Sequence, residues 1–305
     1  MKLFSVKKAW RVRVGALELG GGLSIETPAL LISTRKGLPH FIPPDLLPSL
    51  PSPDSHLLQL VTLYEAHTLL GLGVFWCGAL TGVPLSDMRQ TDTNIYDYTN
   101  VFVYGAWAVL GPNKPGQLPG LSLEGLSPAT IAKIGGIHKL VGLNEYGIAA
   151  VARDSIHSLP ECKGATKFGP TFETPCGRLL IKPKDYVEMI SCLRPNIWAT
   201  LADEVPAWVS DKRNKTSVDR TLRWLDDCLA LNPAVGSVFG AIVGGPSLDE
   251  RKRCAEEVAK RNVAGYWIGG FGLGEAIDER PALLHAIVDV LPDAKPRMIC
   301  GLGLP

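Results

Sequence analysis

The sequence predicts an α/β fold built on a parallel sheet, and three observations carry that prediction. From about residue 170 onward, apolar runs and amphipathic helical stretches alternate four times, at the ~30-residue spacing of βαβ units. The runs are continuously apolar, as strands buried on both faces require. The length of 305 residues accommodates either one barrel-type domain of about 250 residues or two ordinary domains. Two architectures satisfy this pattern, a doubly wound sheet and a (β/α)8 barrel. Both gather ligands at the C-terminal ends of their strands.

In the regular half, Pro183 suits a first helical turn, and Tyr186, Met189, Ile190 and Leu193 then share one face until Pro195 stops the helix. Ile197 to Ala202 reads as a strand ending in Asp203-Glu204. Ser217 to Leu231 is a helix with Val218, Leu222, Leu225 and Leu229 in its apolar stripe. Val238 to Val243 is the next strand, closed by Gly244-Gly245. Ser247 and Glu250 form a capping box for a helix that runs to about Asn262. The run from Val263 to Ile268 is a strand that breaks into Gly269-Gly270. A helix from Pro281 to Leu291 and a last strand, Arg297 to Gly301, follow.

The first half is less regular. Arg11-Val12-Arg13-Val14 alternates as a strand with one wet face, and Pro28 to Ser33 reads as a buried strand. Pro39 to Pro53 carries six prolines and reads as loop and turns. His56 to His67 is apolar enough to be buried. Val74 to Cys77 and Val101 to Leu110 read as further strands, and Pro112 to Pro119 as a connector.

A hydrophobic fraction of 46% supports a sizeable core, and a net charge of +1 excludes a broadly basic surface. Any nucleic acid must therefore meet a local patch. The seven cysteines are scattered, with no Cys-x-x-Cys pair, and read as small buried hydrophobes. The N-terminus has no apolar signal-peptide core, and no run reaches the about 20 apolar residues of a membrane span. The expectation is a soluble, cytoplasmic protein.

The strand ends supply the candidate site. Gly269-Gly270 places two backbone N–H groups where no Cβ obstructs a flat ligand, with Glu275 just beyond; a flexible strand-to-helix turn is the alternative. Asp203 is either a ligand-binding carboxylate or an acid capping a turn. Lys212, Arg213 and Lys215 lie in the connection after Asp203 as a phosphate contact or as a solvated basic loop. None of the six histidines is assigned a catalytic role. Tyr186, Trp198, Trp224 and Trp267 fall at core periods and read as packing rather than base-stacking platforms.

Five segments in order then match one family: Leu179 to Pro183, Leu201 to Glu204, Ser217 to Trp224, Gly265 to Glu275 and Leu291 to Gly301. Residues 169–305 resemble the tRNA-guanine transglycosylases. Met1-Lys2-Leu3, Pro39-His40 and the Ser217–Cys228 helix with Lys212-Arg213 before it are similar to the eukaryotic accessory subunits of that family. Residues 70–160 match poorly.

The resemblance implies a (β/α)8 barrel with a zinc module after the seventh strand. The family exchanges the guanine at the tRNA wobble position for queuine or a precursor. An aspartate attacks the ribose C1′, and the incoming base displaces the covalent intermediate. By this likeness Asp203 is the base-reading aspartate, able to accept from a guanine-like N1–H and amino edge. Gly269 and Gly270 are the backbone wall of the purine pocket, and Glu275 is the acid beyond it. Lys212, Arg213 and Lys215 are the tRNA contact.

Other family positions depart. Ile242-Val243-Gly244-Gly245 replaces the base-reading glutamine, and Asn144-Glu145-Tyr146-Gly147 is the nearest counterpart of the catalytic Asp-Ser-Gly-Gly segment. The nucleophilic aspartate and the family's zinc site of three cysteines and a histidine belong after Gly301, and neither is present, so no catalytic or metal-binding residue is assigned. The expectation is one domain over residues 1–305, a barrel shortened after its seventh strand and lacking the final βα unit and the zinc module. Such a barrel leaves unpaired edges, so poor solubility or dependence on a partner follows. The implied role is a non-catalytic accessory subunit, without cofactor, paired with a catalytic queuine tRNA-ribosyltransferase subunit as a heterodimer on tRNA; the alternatives are an active base-exchange transglycosylase and a (β/α)8 metabolic enzyme whose glycine-rich strand ends hold a phosphate. It would be cytoplasmic, with the family also suggesting peripheral attachment at the mitochondrial outer membrane.

Overall fold

A computed structural model of the chain describes residues 3–9, 13–19, 22–35, 38–39, 44–50, 57–61, 128–153, 165–174, 177–231 and 234–302. Arg11, Val12 and the segments expected at Val74–Cys77, Val101–Leu110 and Pro112–Pro119 lie outside these residues.

Three antiparallel strands come first: β1 (Phe4–Ala9), β2 (Arg13–Glu18) and β3 (Ser24–Thr27). Then follow β4 (Ile32–Arg35), β5 (Leu38–Pro39), a 3-10 turn at Pro44–Ser49 and β6 (Leu57–Val61). Helices α1 (Pro128–Ile134) and α2 (Ile137–Val141) lead to β7 (Gly147–Val151) and the hairpin β8 (Thr171–Thr174) and β9 (Gly177–Leu180). The regular half is α3 (Pro183–Leu193), β10 (Ile197–Ala199), α4 (Asp211–Leu231), β11 (Ser237–Ile242), α5 (Leu248–Ala259), β12 (Gly265–Ile268), α6 (Arg280–Val288) and β13 (Arg297–Ile299).

Local chemistry explains the boundaries. Pro183 opens α3, and Arg194 ends it in a left-handed conformation (φ 52°), its N–H bonded to Ile190 O, before Pro195 forbids continuation. Ser247 Oγ accepts from Glu250 N at 3.2 Å and caps α5. Two expectations are corrected. Pro28–Leu31 is not strand, and Leu30 is 62% exposed; the strand begins at Ile32. Helix α4 begins at Asp211 rather than Ser217, so Lys212, Arg213 and Lys215 are helical residues, not loop.

Among the described residues the main sheet has eight strands, in the order β13-β12-β11-β10-β7-β6-β4-β5. Every pairing in it is parallel except β4 with β5. Side chains alternate across it. Leu57, Ala149, Ile197, Phe239, Trp267 and Met298 from six strands join one inner cluster, with Phe4, Leu17 and Ile25 from the antiparallel sheet. On the other face Ala150 and Trp198 pack on Tyr186, Ile190, Trp224 and Cys228 of α3 and α4. Ile242, Tyr266 and Ile268 pack on α4, α5 and α6 through Leu225, Val258 and Ile287.

These helices lie on one face, which excludes the doubly wound alternative. The sheet also curls. Cys300 Sγ, after β13, lies 3.8 Å from Gln59 Oε1 of β6, although a flat sheet would hold those strands about 24 Å apart. The closed barrel is not formed: among the described residues β13 pairs with β12 alone, and β4 with β5 and β6. Asn196, just before β10, donates to Leu19 O at 3.3 Å. The antiparallel sheet therefore covers the N-terminal ends of the strands and leaves the C-terminal ends for a site.

Candidate functional site

The C-terminal ends of β7, β10, β11 and β12 are tied together by buried polar groups. Arg153 follows β7 and reaches Glu204, which follows β10, through Nε to Oε2 at 2.6 Å and Nη2 to Oε1 at 2.9 Å. Both side chains are buried. Glu204 Oε1 also accepts the N–H of Gly270 at 2.8 Å, extending the link to β12. Burial pushes the Glu204 carboxyl up, but the Arg153 guanidinium, the Gly270 N–H and Arg251 outweigh it and hold it below the ordinary value.

Arg251 is the second tie. It projects from α5 into the protein, 0% exposed. Nε donates to Gly245 O at 2.7 Å, Nη1 to Gly269 O at 3.3 Å and Nη2 to Gly270 O at 2.8 Å. Its guanidinium carbon lies 4.1 Å from the centre of the Phe271 ring, a cation–π contact. Burial lowers its pKa to about 10, with Glu275 and Glu204 acting in the opposite direction. The group is charged at neutral pH and bridges the loops after β11 and β12. From α4, Asn214 Nδ2 adds a bond to Gly244 O at 2.7 Å.

Asp203 is 2% exposed and faces α4. Its carboxylate meets Arg213 in a two-pronged pair, Nη1 to Oδ2 at 2.8 Å and Nη2 to Oδ1 at 2.7 Å, and Arg220 Nη1 at 3.2 Å. Its own N–H donates to Thr221 Oγ1 at 3.0 Å. Glu275 closes the loop after β12, accepting from Gly272 N at 2.7 Å, Leu273 N at 2.9 Å and Arg280 Nε at 2.9 Å. Burial raises the Glu275 carboxyl, and the two backbone N–H groups, its own N–H and Arg280 bring it below its usual value.

The glycine pair is held from every side. The Gly269 N–H donates to Ile242 O at 3.0 Å, so with Glu204 on Gly270 neither N–H faces an open pocket as the sequence suggested. Gly269 is required by space: an added Cβ would lie 2.3 Å from the indole of Trp267. Gly270 is required by conformation, at φ 67°. A recess between Arg153, Phe172, Ala202, Asp203 and Glu204 has room for about 10 Å³, enough for one water and no purine.

The structure thus brings Asp203, Gly269, Gly270 and Glu275 to one end of the sheet, along with Arg213. Lys212 and Lys215 are exposed on the first turns of α4. Asn144-Glu145-Tyr146 precede β7 and lie at the opposite, N-terminal end of the sheet. Arg153, Arg220 and Arg251 were missed from sequence. Arg251 carried a signal, a charge at the apolar stripe position shared with Cys254, Ala255 and Val258. Arg153 and Arg220 carried none.

Of the four described cysteines, Cys192 is half-buried and the other three are buried. Cys228, Cys254 and Cys300 are buried in three different clusters. Burial pushes their thiols up to about 12, 11 and 12. Among the described residues no three of His, Cys, Asp and Glu converge on a metal position. The four aromatics do sit in the core, each at most 4% exposed. Among the described residues no helix is long and apolar enough to cross a membrane.

The two depressed carboxyls predict a pH response. Glu204 and Glu275 titrate below their unfolded value of 4.5. As pH falls through 4.5 the unfolded chain takes up protons first, so the stabilisation present above that pH is lost towards each folded value. Urea midpoints should therefore fall steeply below about pH 4.5, and Glu204→Gln should flatten the slope. An unchanged slope in that variant would contradict the assignment.

A family profile described as queuine tRNA-ribosyltransferase matches residues 123–305, more than half of the chain. The chain belongs to the queuine tRNA-ribosyltransferase family. Queuine tRNA-ribosyltransferase accessory subunit 2 of Trichoplax adhaerens is 38% identical over 138 residues, covering 43% of this chain and 37% of that protein. The same subunit of Xenopus tropicalis is 36% identical over 179 residues, covering 56% and 42%. The queuine tRNA-ribosyltransferase of Nostoc sp. is 30% identical over 179 residues, covering 57% and 48%. The chain spans less than half the length of these family members. The profile covers every strand end that builds the site, from β7 to β13.

Proposed function

We propose that this chain is a non-catalytic accessory subunit of a queuine tRNA-ribosyltransferase complex. It pairs with a catalytic subunit and supports exchange of guanine for queuine at the tRNA wobble position. On this reading the curled sheet is the wall of a single (β/α)8-type domain, and the complex is cytoplasmic. One observation carries the non-catalytic part: the groups that would read a base are already taken by the protein. Both Asp203 oxygens are held by arginine, and the Gly270 N–H is held by Glu204. A purine would have to displace charge-assisted bonds about twice as strong as neutral ones. Similarity to accessory subunit 2 from two animals supports the subunit assignment.

The test is co-purification with a catalytic transglycosylase subunit, then a queuine exchange assay with and without this chain. Exchange should require both chains. Exchange that proceeds equally without it removes the accessory role, and queuine incorporation by this chain alone shows a working enzyme.

A further inference from the structure

Trp208 is the most exposed large hydrophobic side chain among the described residues, at 75%. It sits between β10 and α4, on the same rim as the site, and its backbone is fixed. Ala207 N donates to Leu273 O at 2.9 Å, and Val209 N to Pro206 O at 3.3 Å. Its indole lies against Gly274, where an added Cβ would come within 2.5 Å of the ring. This is an aromatic surface open to solvent and seated against the backbone of Gly274, on which a flat partner can stack.

The charges that follow it on the first turns of α4 point to the partner. Lys212 and Lys215 are exposed and three residues apart, so they share one side of α4. Among the described residues neither ammonium is paired with a carboxylate, whereas Arg213 on the same turn is committed to Asp203. Asp211 opens the helix as the single acid of this turn. Lysine is depleted from the cores of protein–protein interfaces. An exposed aromatic beside unpaired lysines is the pattern of single-stranded nucleic-acid binding, in which bases stack and cations take phosphates.

We propose that Trp208 is the stacking platform for an unpaired base of a single-stranded RNA segment, with Lys212 and Lys215 on the adjoining phosphates. This rests on the tRNA-binding role above and names the side chains that perform it. It also extends the sequence reading, which took only the basic residues as a phosphate contact.

The test measures affinity of the full chain, in complex with the catalytic subunit, for a fluorescent anticodon stem-loop RNA. Trp208→Ala and Trp208→Leu should each weaken binding about tenfold, and Trp208→Phe should keep most of it, since stacking needs a π face. The double variant Lys212→Ala, Lys215→Ala should lower the slope of log affinity against log salt by about 1 to 2. Exposure of Trp208 predicts unchanged melting for all of these, checked by circular dichroism. RNA binding by the parent with no loss in Trp208→Ala overturns the platform and leaves the accessory role standing. If Trp208→Ala instead releases the catalytic subunit while RNA affinity holds, the residue is a protein contact and the platform is again overturned. No RNA binding by the parent complex, with exchange independent of this chain, removes both.

Discussion

Arg251→Met should lower the free energy of unfolding by about 3 to 5 kcal/mol, the loss seen when a buried charged tie is broken on one side. Methionine keeps much of the apolar stem but deletes the donors that hold Gly245 O, Gly269 O and Gly270 O. Buried carbonyls left without a donor cost about 1 to 3 kcal/mol each, and they do not add because the loops relax together. The cation–π contact with Phe271 is lost as well. Lysine should restore only part, since one ammonium cannot reproduce the planar fork across three carbonyls. Denaturant midpoints measure the loss. Amide exchange at Gly269 and Gly270 should also accelerate, because the loops after β11 and β12 lose their shared anchor. A change under about 1 kcal/mol would mean that water replaces the guanidinium at little cost, and that Arg251 is not what holds the glycine pair.

Glu204→Ala is expected to be nearly as damaging. Removing this carboxylate takes the ion-pair partner from the buried Arg153 and the acceptor from Gly270 N–H in one step. Breaking one side of a buried pair costs about 3 to 5 kcal/mol. The double variant Arg153→Met, Glu204→Leu should recover much of that loss, because it removes both desolvated charges together, while the Gly270 N–H still loses its acceptor. A double variant no better than Glu204→Ala would show that the damage comes from lost packing or from the orphaned N–H.

The regular half was legible because local rules and burial agree there. Pro183, Ser247 and the apolar stripe of α5 each mark an element that the structure forms. The start of α4 was not legible. Asp211 to Thr216 carries no apolar residue, yet Asn214 is buried against Gly244 O, and tertiary packing draws the polar segment into the helix. Strand β3 was missed for a related reason: Ser24–Thr27 buries only Ile25 and owes its conformation to the ladder with β2. The site divides in the same way. Asp203, Gly269, Gly270 and Glu275 could be named because strand ends are where α/β proteins place ligands. Their partners Arg153, Arg220 and Arg251 come from elements whose mutual position no local pattern encodes.

By itself the sequence determined the alternation of strands and helices, the parallel sheet, the buried aromatics and the family. Those follow from periodicity, glycine and proline chemistry and segment likeness, all of which are local in the chain. Only the tertiary structure decided that the helices cover one face of a curled sheet, and that Asp203 and the Gly270 N–H are already occupied. The reason is physical. A carboxylate or an N–H has the same valence wherever it stands, and whether it is free for a ligand depends on which distant donor or acceptor the fold carries to it. Here Glu204 lies 66 residues from Gly270.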